Sequence, residues 1–198
     1  MPGTHHPSVT LVRHGETEWT LSRRHTGNTD VPLTDAGRQE ALALGKRLAG
    51  AAFDLVLTSP LARAAETCRL AGLGGNAEVR DDLREWDYGA YEGLTTAEIR
   101  VERPGWLLWS DGVLGGETAD EVAARVDRVI AEIRDGVPGR AAVFAHGHLL
   151  RVFTARWLGL APAFGAHVTL GPASICVLGW EHEIPSITLW NDRSHLPG

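Results

Sequence analysis

The sequence predicts an α/β fold: a three-layer α/β/α sandwich with a mostly parallel central sheet and an antiparallel edge strand. Three features predict it. Short apolar runs alternate with stretches of helical spacing, as in strand–helix–strand units. Three of the runs end abruptly in Arg, Ser or His. The last two runs are separated only by a short turn.

In chain order, residues 9–12 form the first strand, an apolar run punctuated by Arg13. A helix spans 34–49, with Thr34 as N-cap, Leu44 and Leu48 one turn apart, and Gly50 as the stop. A strand at 54–58 precedes a second helix over 61–71. The helix over 118–134 opens with Thr118 and Glu121 in a capping-box arrangement. A strand at 141–145 runs into a helix over 149–158, and strands at 174–180 and near 186–190 flank the 181–185 turn. The chain of 198 residues reads as one domain, 1–198, with residues 1–7 flexible and 86–117 forming a cap segment.

Composition bounds the function. Hydrophobic residues make up 43% and charged residues 22%, a globular balance that excludes a wholly disordered chain. The formal net charge of −6 argues against a nucleic-acid partner, whose usual footprint is a basic face. Cys68 and Cys176 are too few for a disulfide scaffold and too far apart for a thiol pair, which predicts a reducing cytoplasm. No signal peptide and no bilayer-spanning run are read in the chain, so no membrane partner is expected. A monomer or a homodimer is expected.

The strands at 9–12, 54–58 and 141–145 end in Arg13-His14-Gly15-Glu16, Thr58-Ser59-Pro60-Leu61-Ala62-Arg63 and His146-Gly147-His148. In open α/β sheets, ligands bind beyond the carboxyl ends of strands. Arg13, His14, Arg63 and His146 thus converge on one sheet edge, and cations gathered at one point require an anion. His25, His146 and His148 are also open to a reading as metal ligands. The nearby arginines would repel a cation, so no metal is expected.

The run Leu11-Val12-Arg13-His14-Gly15-Glu16-Thr17 resembles the signature of the histidine phosphatase superfamily, also called phosphoglycerate-mutase-like. The likeness continues through Pro32-Leu33-Thr34 with Gly37, Ser59-Pro60-Leu61 with Arg63 and Thr67, Glu85 with Tyr88-Gly89 and Glu92-Gly93, and His146-Gly147. It covers residues 9 to about 180. The resemblance implies that His14 accepts a phosphoryl group, while Arg13, Arg63 and His146 clamp the phosphate oxygens. Neutral imidazole is a nucleophile near neutral pH, and fixed guanidinium forks meet the charge of phosphoryl transfer without a metal or any other cofactor. The resemblance also makes Glu85 the donor of a proton to the leaving oxygen, and afterwards the base that activates water.

Thr26 matches a family position near the phosphate. Thr20 stands where many members carry Asn, and its shorter hydroxyl is the expected substitute contact. Tyr88 shields the acid and borders the substrate. His148 is either a second ring at the pocket or a solvent-facing residue at a helix start. Arg23 and Arg24 either meet a second anionic group or form a solvated charge pair, and Trp86, Trp106 and Trp109 are either lid or core.

The segment Glu85-Trp86-Asp87-Tyr88-Gly89-Ala90-Tyr91-Glu92-Gly93-Leu94 most resembles the branch containing broad-specificity acid phosphatases and sedoheptulose bisphosphatases. The resemblance implies a metal-independent phosphatase acting on small phosphomonoesters such as sugar phosphates. The alternatives are a 2,3-bisphosphoglycerate-dependent phosphoglycerate mutase and a non-catalytic phosphate-binding module. The short stretch between Glu85 and Thr118, and Gly147-His148-Leu149 after His146, favour the phosphatase.

Overall fold

The structure, a computed structural model, describes residues 6–197. In chain order its strands and α-helices are β1 (Ser8–Arg13), α1 (Glu18–Leu21), α2 (Asp35–Leu48), β2 (Leu55–Thr58), α3 (Ala62–Leu70), β3 (Ala77–Val79), α4 (Thr96–Glu102), α5 (Leu108–Asp111), α6 (Ala119–Gly136), β4 (Arg140–Ala145), α7 (Gly147–Trp157), β5 (Ile175–Glu181) and β6 (Ile184–Asp192). One six-stranded sheet has the order β3-β2-β4-β1-β5-β6. The first four strands pair in parallel; β5 runs antiparallel to β1, and β6 antiparallel to β5.

Side-chain alternation builds the layers. Val9, Leu11, Leu57, Val143 and Leu178 point to one face and pack with Val122, Val126, Val129 and Ile133 of α6 and Leu149, Val152 and Phe153 of α7. Val12, Val56, Ala142, Phe144 and Ile175 point to the other, against Leu44 of α2 and Cys68 of α3. Both faces of β1 and β4 are covered, which is why these strands read as continuous apolar runs.

The expected caps are present. The Thr34 side chain accepts from the Gly37 N–H, and Thr118 and Glu121 close a reciprocal box at the start of α6. The helix expected over 149–158 starts two residues earlier, so that α7 begins directly after His146. The turn between the last strands is tighter than expected, with only His182 and Glu183 between β5 and β6. Of the expected flexible segment 1–7, residues 1–5 lie outside the described residues. His6 stacks on Trp180, and the Pro7 carbonyl accepts the Trp180 indole N–H. Among the described residues no helix is long and apolar enough to cross a membrane.

Candidate active site

Parallel pairing aligns the carboxyl ends of β1, β2 and β4, because Arg13 sits opposite Ala145 and Thr58 opposite Phe144. Hydrogen bonding continues past the strand end: His14 N–H donates to the Ala145 carbonyl at 3.0 Å, and Ala173 N–H donates to the His14 carbonyl at 3.0 Å. The next residue has to be glycine. A Cβ at Gly15 would stand 2.5 Å from the Gly37 carbonyl oxygen, so the first turn of α2 lies against the backbone just after His14.

The His14 ring is oriented by its Nδ1, 2.7 Å from the Gly15 carbonyl. A carbonyl only accepts, so Nδ1 carries the hydrogen and Nε2 keeps its lone pair. Burial, then the charges of Arg63 and Arg13, hold the His14 pKa well below its ordinary value, so the ring is neutral. That is the protonation state a nucleophile needs. Arg13 sends Nη1 to the Leu170 carbonyl, while its buried Nε has no hydrogen-bond partner among the described residues.

Arg63 and His146 stand behind His14 and are both fully buried. The His146 ring centroid is 5.2 Å from that of His14. Arg63 Nε donates to His146 Nδ1 at 3.2 Å, which leaves His146 Nε2 as the donor to Ser59 Oγ at 2.8 Å. The remaining forks of Arg63 reach the carbonyls of Thr26, Gly27 and Thr29, so one Nη1 hydrogen stays uncommitted. The structure therefore puts Arg13 and His14 on the cavity wall and makes Arg63 the clasp of the loop in front of it.

Glu85 also reaches the cavity. Its Oε1 accepts from Trp86 N–H at 2.9 Å and Leu149 N–H at 2.8 Å, while Oε2 accepts from His148 N–H at 3.0 Å. The carboxylate thus seats on the first turn of α7, where free N–H groups and the positive end of the helix dipole face outward. Oε2 accepts only one of these bonds and keeps a lone pair for a proton.

The cavity has a volume of about 320 Å³, within the range of small-molecule sites. Thr20, Thr26, Arg23, Arg24, Tyr88 and His148 all line it, as does His25. Thr20 and Thr26 direct their hydroxyl hydrogens at the carbonyls of Thr17 and Arg24, so the remaining oxygen lone pairs suit a ligand hydroxyl better than a phosphate oxygen. Arg24 is a staple, bonded to the Gly93 carbonyl at 2.6 Å and to Glu98 at 3.3 Å, whereas Arg23 is exposed at φ +56°. Tyr88 hydroxyl lies 2.6 Å from His148 Nδ1, and burial pushes the Tyr88 pKa well up and that of His148 well down. His148 is thus a ring at the pocket.

Trp86 and Trp106 are core residues that also back the pocket rings. Trp109 packs edge-on against Trp86 at 5.6 Å, and Trp106 against His25 at 5.5 Å. Sequence reasoning missed Arg151, which lines the cavity one turn after His148 on α7 and lies 4.8 Å above the Trp109 ring. The spacing of three from His148 is the signal that could have found it.

The sequence model of the histidine phosphatase superfamily (branch 1) matches residues 9–193. An acid phosphatase of Mycobacterium tuberculosis is 40% identical over 196 residues, 98% of this chain and 96% of its own length. A sedoheptulose 1,7-bisphosphatase of Saccharomyces cerevisiae is 40% identical over 186 residues, 78% of this chain and 68% of its own. The structure of a mycobacterial glucosyl-3-phosphoglycerate phosphatase in complex with VO3 superposes with a TM-score of 0.84 at 31% identity, covering 93% of this chain and 98% of the other.

Proposed function

The chain belongs to the histidine phosphatase superfamily, branch 1, and is a phosphatase of small phosphate esters; from that premise we propose that it is a metal-independent phosphomonoester hydrolase working through a phosphohistidine on His14. One observation carries the reading. His14 and Arg13 line one cavity, the first a neutral imidazole whose Nε2 keeps its lone pair, the second a guanidinium whose buried Nε has no hydrogen-bond partner among the described residues.

His14 Nε2 attacks phosphorus, the ester P–O bond breaks, and the proton on Glu85 Oε2 goes to the departing alkoxide. The Gly15 carbonyl steadies the Nδ1–H as the ring takes on positive charge. Water then attacks the phosphohistidine, Glu85 takes its proton, the P–N bond breaks, and inorganic phosphate leaves with the ring neutral again. Arg13 meets the equatorial oxygens, and the remaining Arg63 N–H adds charge from behind, which is the role a metal ion plays elsewhere.

His25, Tyr88, His148 and Arg151 make the outer part of the cavity polar and cationic, which suits a hydroxylated or acidic remainder such as a sugar phosphate. The names of two relatives point the same way. The setting proposed is the cytoplasm, consistent with two buried free thiols, with no nucleic-acid or membrane partner and as a monomer or homodimer.

Rapid-quench labelling with a radiolabelled ester, worked up in alkali because phosphoramidates are acid-labile, tests the intermediate. Label is expected on His14 and absent from His14→Ala. Label on Ser59 or Thr67 in its place would overturn the reading.

A further inference from the structure

Arg125 is the one charged residue within the buried face of α6, and it is only 8% exposed. All five of its N–H groups are used. Nη1 donates to the carbonyls of Asp82 at 2.8 Å and Arg84 at 2.6 Å, and Nη2 to that of Glu85 at 3.2 Å. Nε and Nη2 also grip the Glu117 carboxylate at 2.8 and 2.9 Å. Glu117 in turn accepts the Asp87 N–H at 2.9 Å on its side chain and the Trp86 indole N–H at 2.8 Å on its carbonyl. The pair therefore holds the backbone on both sides of residue 85.

A buried ion pair is a poor source of stability, since desolvation opposes the Coulomb gain and well-packed apolar residues often replace such pairs at no loss. What this pair supplies is geometry. The Glu85 side chain leaves a backbone fixed by Arg125 and ends on the N–H groups of His148 and Leu149 in the first turn of α7, just after His146.

We infer that Arg125 and Glu117 are positioning residues for the proton-transfer step: they set where the Glu85 carboxyl stands relative to the ester oxygen, and touch neither phosphate nor substrate. The inference rests on the reading of Glu85 as the acid. Its consequence is selective. A displaced acid slows the cleavage of esters that need protonation and leaves phosphate binding to Arg13 intact.

The test compares Arg125→Met, Glu117→Gln and Glu85→Gln in single-turnover phosphorylation with glycerol phosphate and with p-nitrophenyl phosphate, together with inhibition by inorganic phosphate. Arg125→Met is expected to slow the glycerol ester about 10- to 100-fold, the scale of an ångström-size misplacement. The p-nitrophenyl ester should be slowed far less, and the inhibition constant should hold. Glu117→Gln shows the same pattern at smaller size, and carries the test if Arg125→Met does not fold. Equal slowing of both esters, or weakened phosphate inhibition, means that the pair only supports the fold and overturns the inference. If Glu85→Gln itself lacks the leaving-group difference, the acid reading falls and takes the inference with it. If Glu85→Gln shows the difference and neither positioning variant does, the inference alone is wrong.

Discussion

Glu85→Gln should do two separable things, and the hydrogen bonds around the carboxylate determine both. The amide oxygen can replace Oε1 and accept from Trp86 and Leu149. The amide nitrogen must then face the His148 N–H across a distance that is 3.0 Å in the native protein, a donor against a donor. A buried N–H deprived of its acceptor costs about 1–3 kcal/mol. At about 2–4 °C per kcal/mol for a domain of this size, Tm should fall by roughly 2–12 °C. The chemical effect is independent of that cost: without a transferable proton, phosphorylation by an alkyl phosphate should slow by about 10²- to 10⁴-fold. Phosphorylation by p-nitrophenyl phosphate, whose leaving group needs no proton, should change little. Single-turnover kinetics are required because the same carboxylate activates water in the second step. An unchanged Tm would refute the hydrogen-bond account, and equal slowing of both esters would refute the acid.

Three further outcomes are expected. Burial, aided by Arg63 and Arg13 at His14 and by Arg151 at His148, keeps His14, His146 and His148 neutral in the folded protein below the ordinary value of 6.5. The unfolded chain then binds more protons, so stability is lost as pH falls below about 6.5, at up to about 1.4 kcal/mol per pH unit for each ring. Urea melts between pH 7 and 5 read this directly, and a flat profile would contradict it. Gly147→Ala would place a Cβ 3.3 Å from the Arg13 guanidinium, which is pinned to Leu170 and has little room to yield. We expect kcat/KM for phosphomonoesters to fall about 10-fold with Tm within a few degrees of the parent; undiminished activity would show that the Arg13 position is not critical. Phosphate release should persist in EDTA and need no 2,3-bisphosphoglycerate. A requirement for added metal would remove the guanidinium mechanism, and primed interconversion of phosphoglycerates with little hydrolysis would make the enzyme a mutase.

The parallel core was legible because β1, β2 and β4 are buried on both faces and so appear as apolar runs, and because α2 and α6 carry their own caps. Strand β3 was not, since Ala77–Val79 is mostly exposed and owes its conformation to pairing with β2 rather than to its own pattern. Helices α1, α4 and α5 have four to seven residues, too few to display a period. At the site, the strand ends pointed to Arg13 and His14, which line the cavity, and to His146, whose ring stands beside that of His14 with its two nitrogens bonded to Arg63 and Ser59. The sequence could not reveal that Arg63 would direct most of its N–H groups at the loop carbonyls of Thr26, Gly27 and Thr29, because that depends on where an irregular segment passes. His25 escaped as a pocket residue for the same reason: its ring is fixed by the Leu94 carbonyl, nearly seventy positions away.

The two hydrogen bonds that tie the His14 backbone to Ala145 and Ala173 anchor one wall of the cavity in the centre of the sheet. His14 is suspended between the middle strand β4 and the segment entering β5, so its amide exchanges with solvent deuterium only when the centre of the sheet comes apart. The facing wall, from Trp19 to Thr26, is a short helix and a turn whose outermost residue, Arg23, is exposed. Arg24 and His25 tie the inner part of that wall to Gly93 and Leu94, so only the exposed amides about Arg23 should exchange sooner than that of His14. Sequence change there can retune which esters are admitted while the reacting ring stays anchored, so the range of substrates and the chemistry can drift independently of one another.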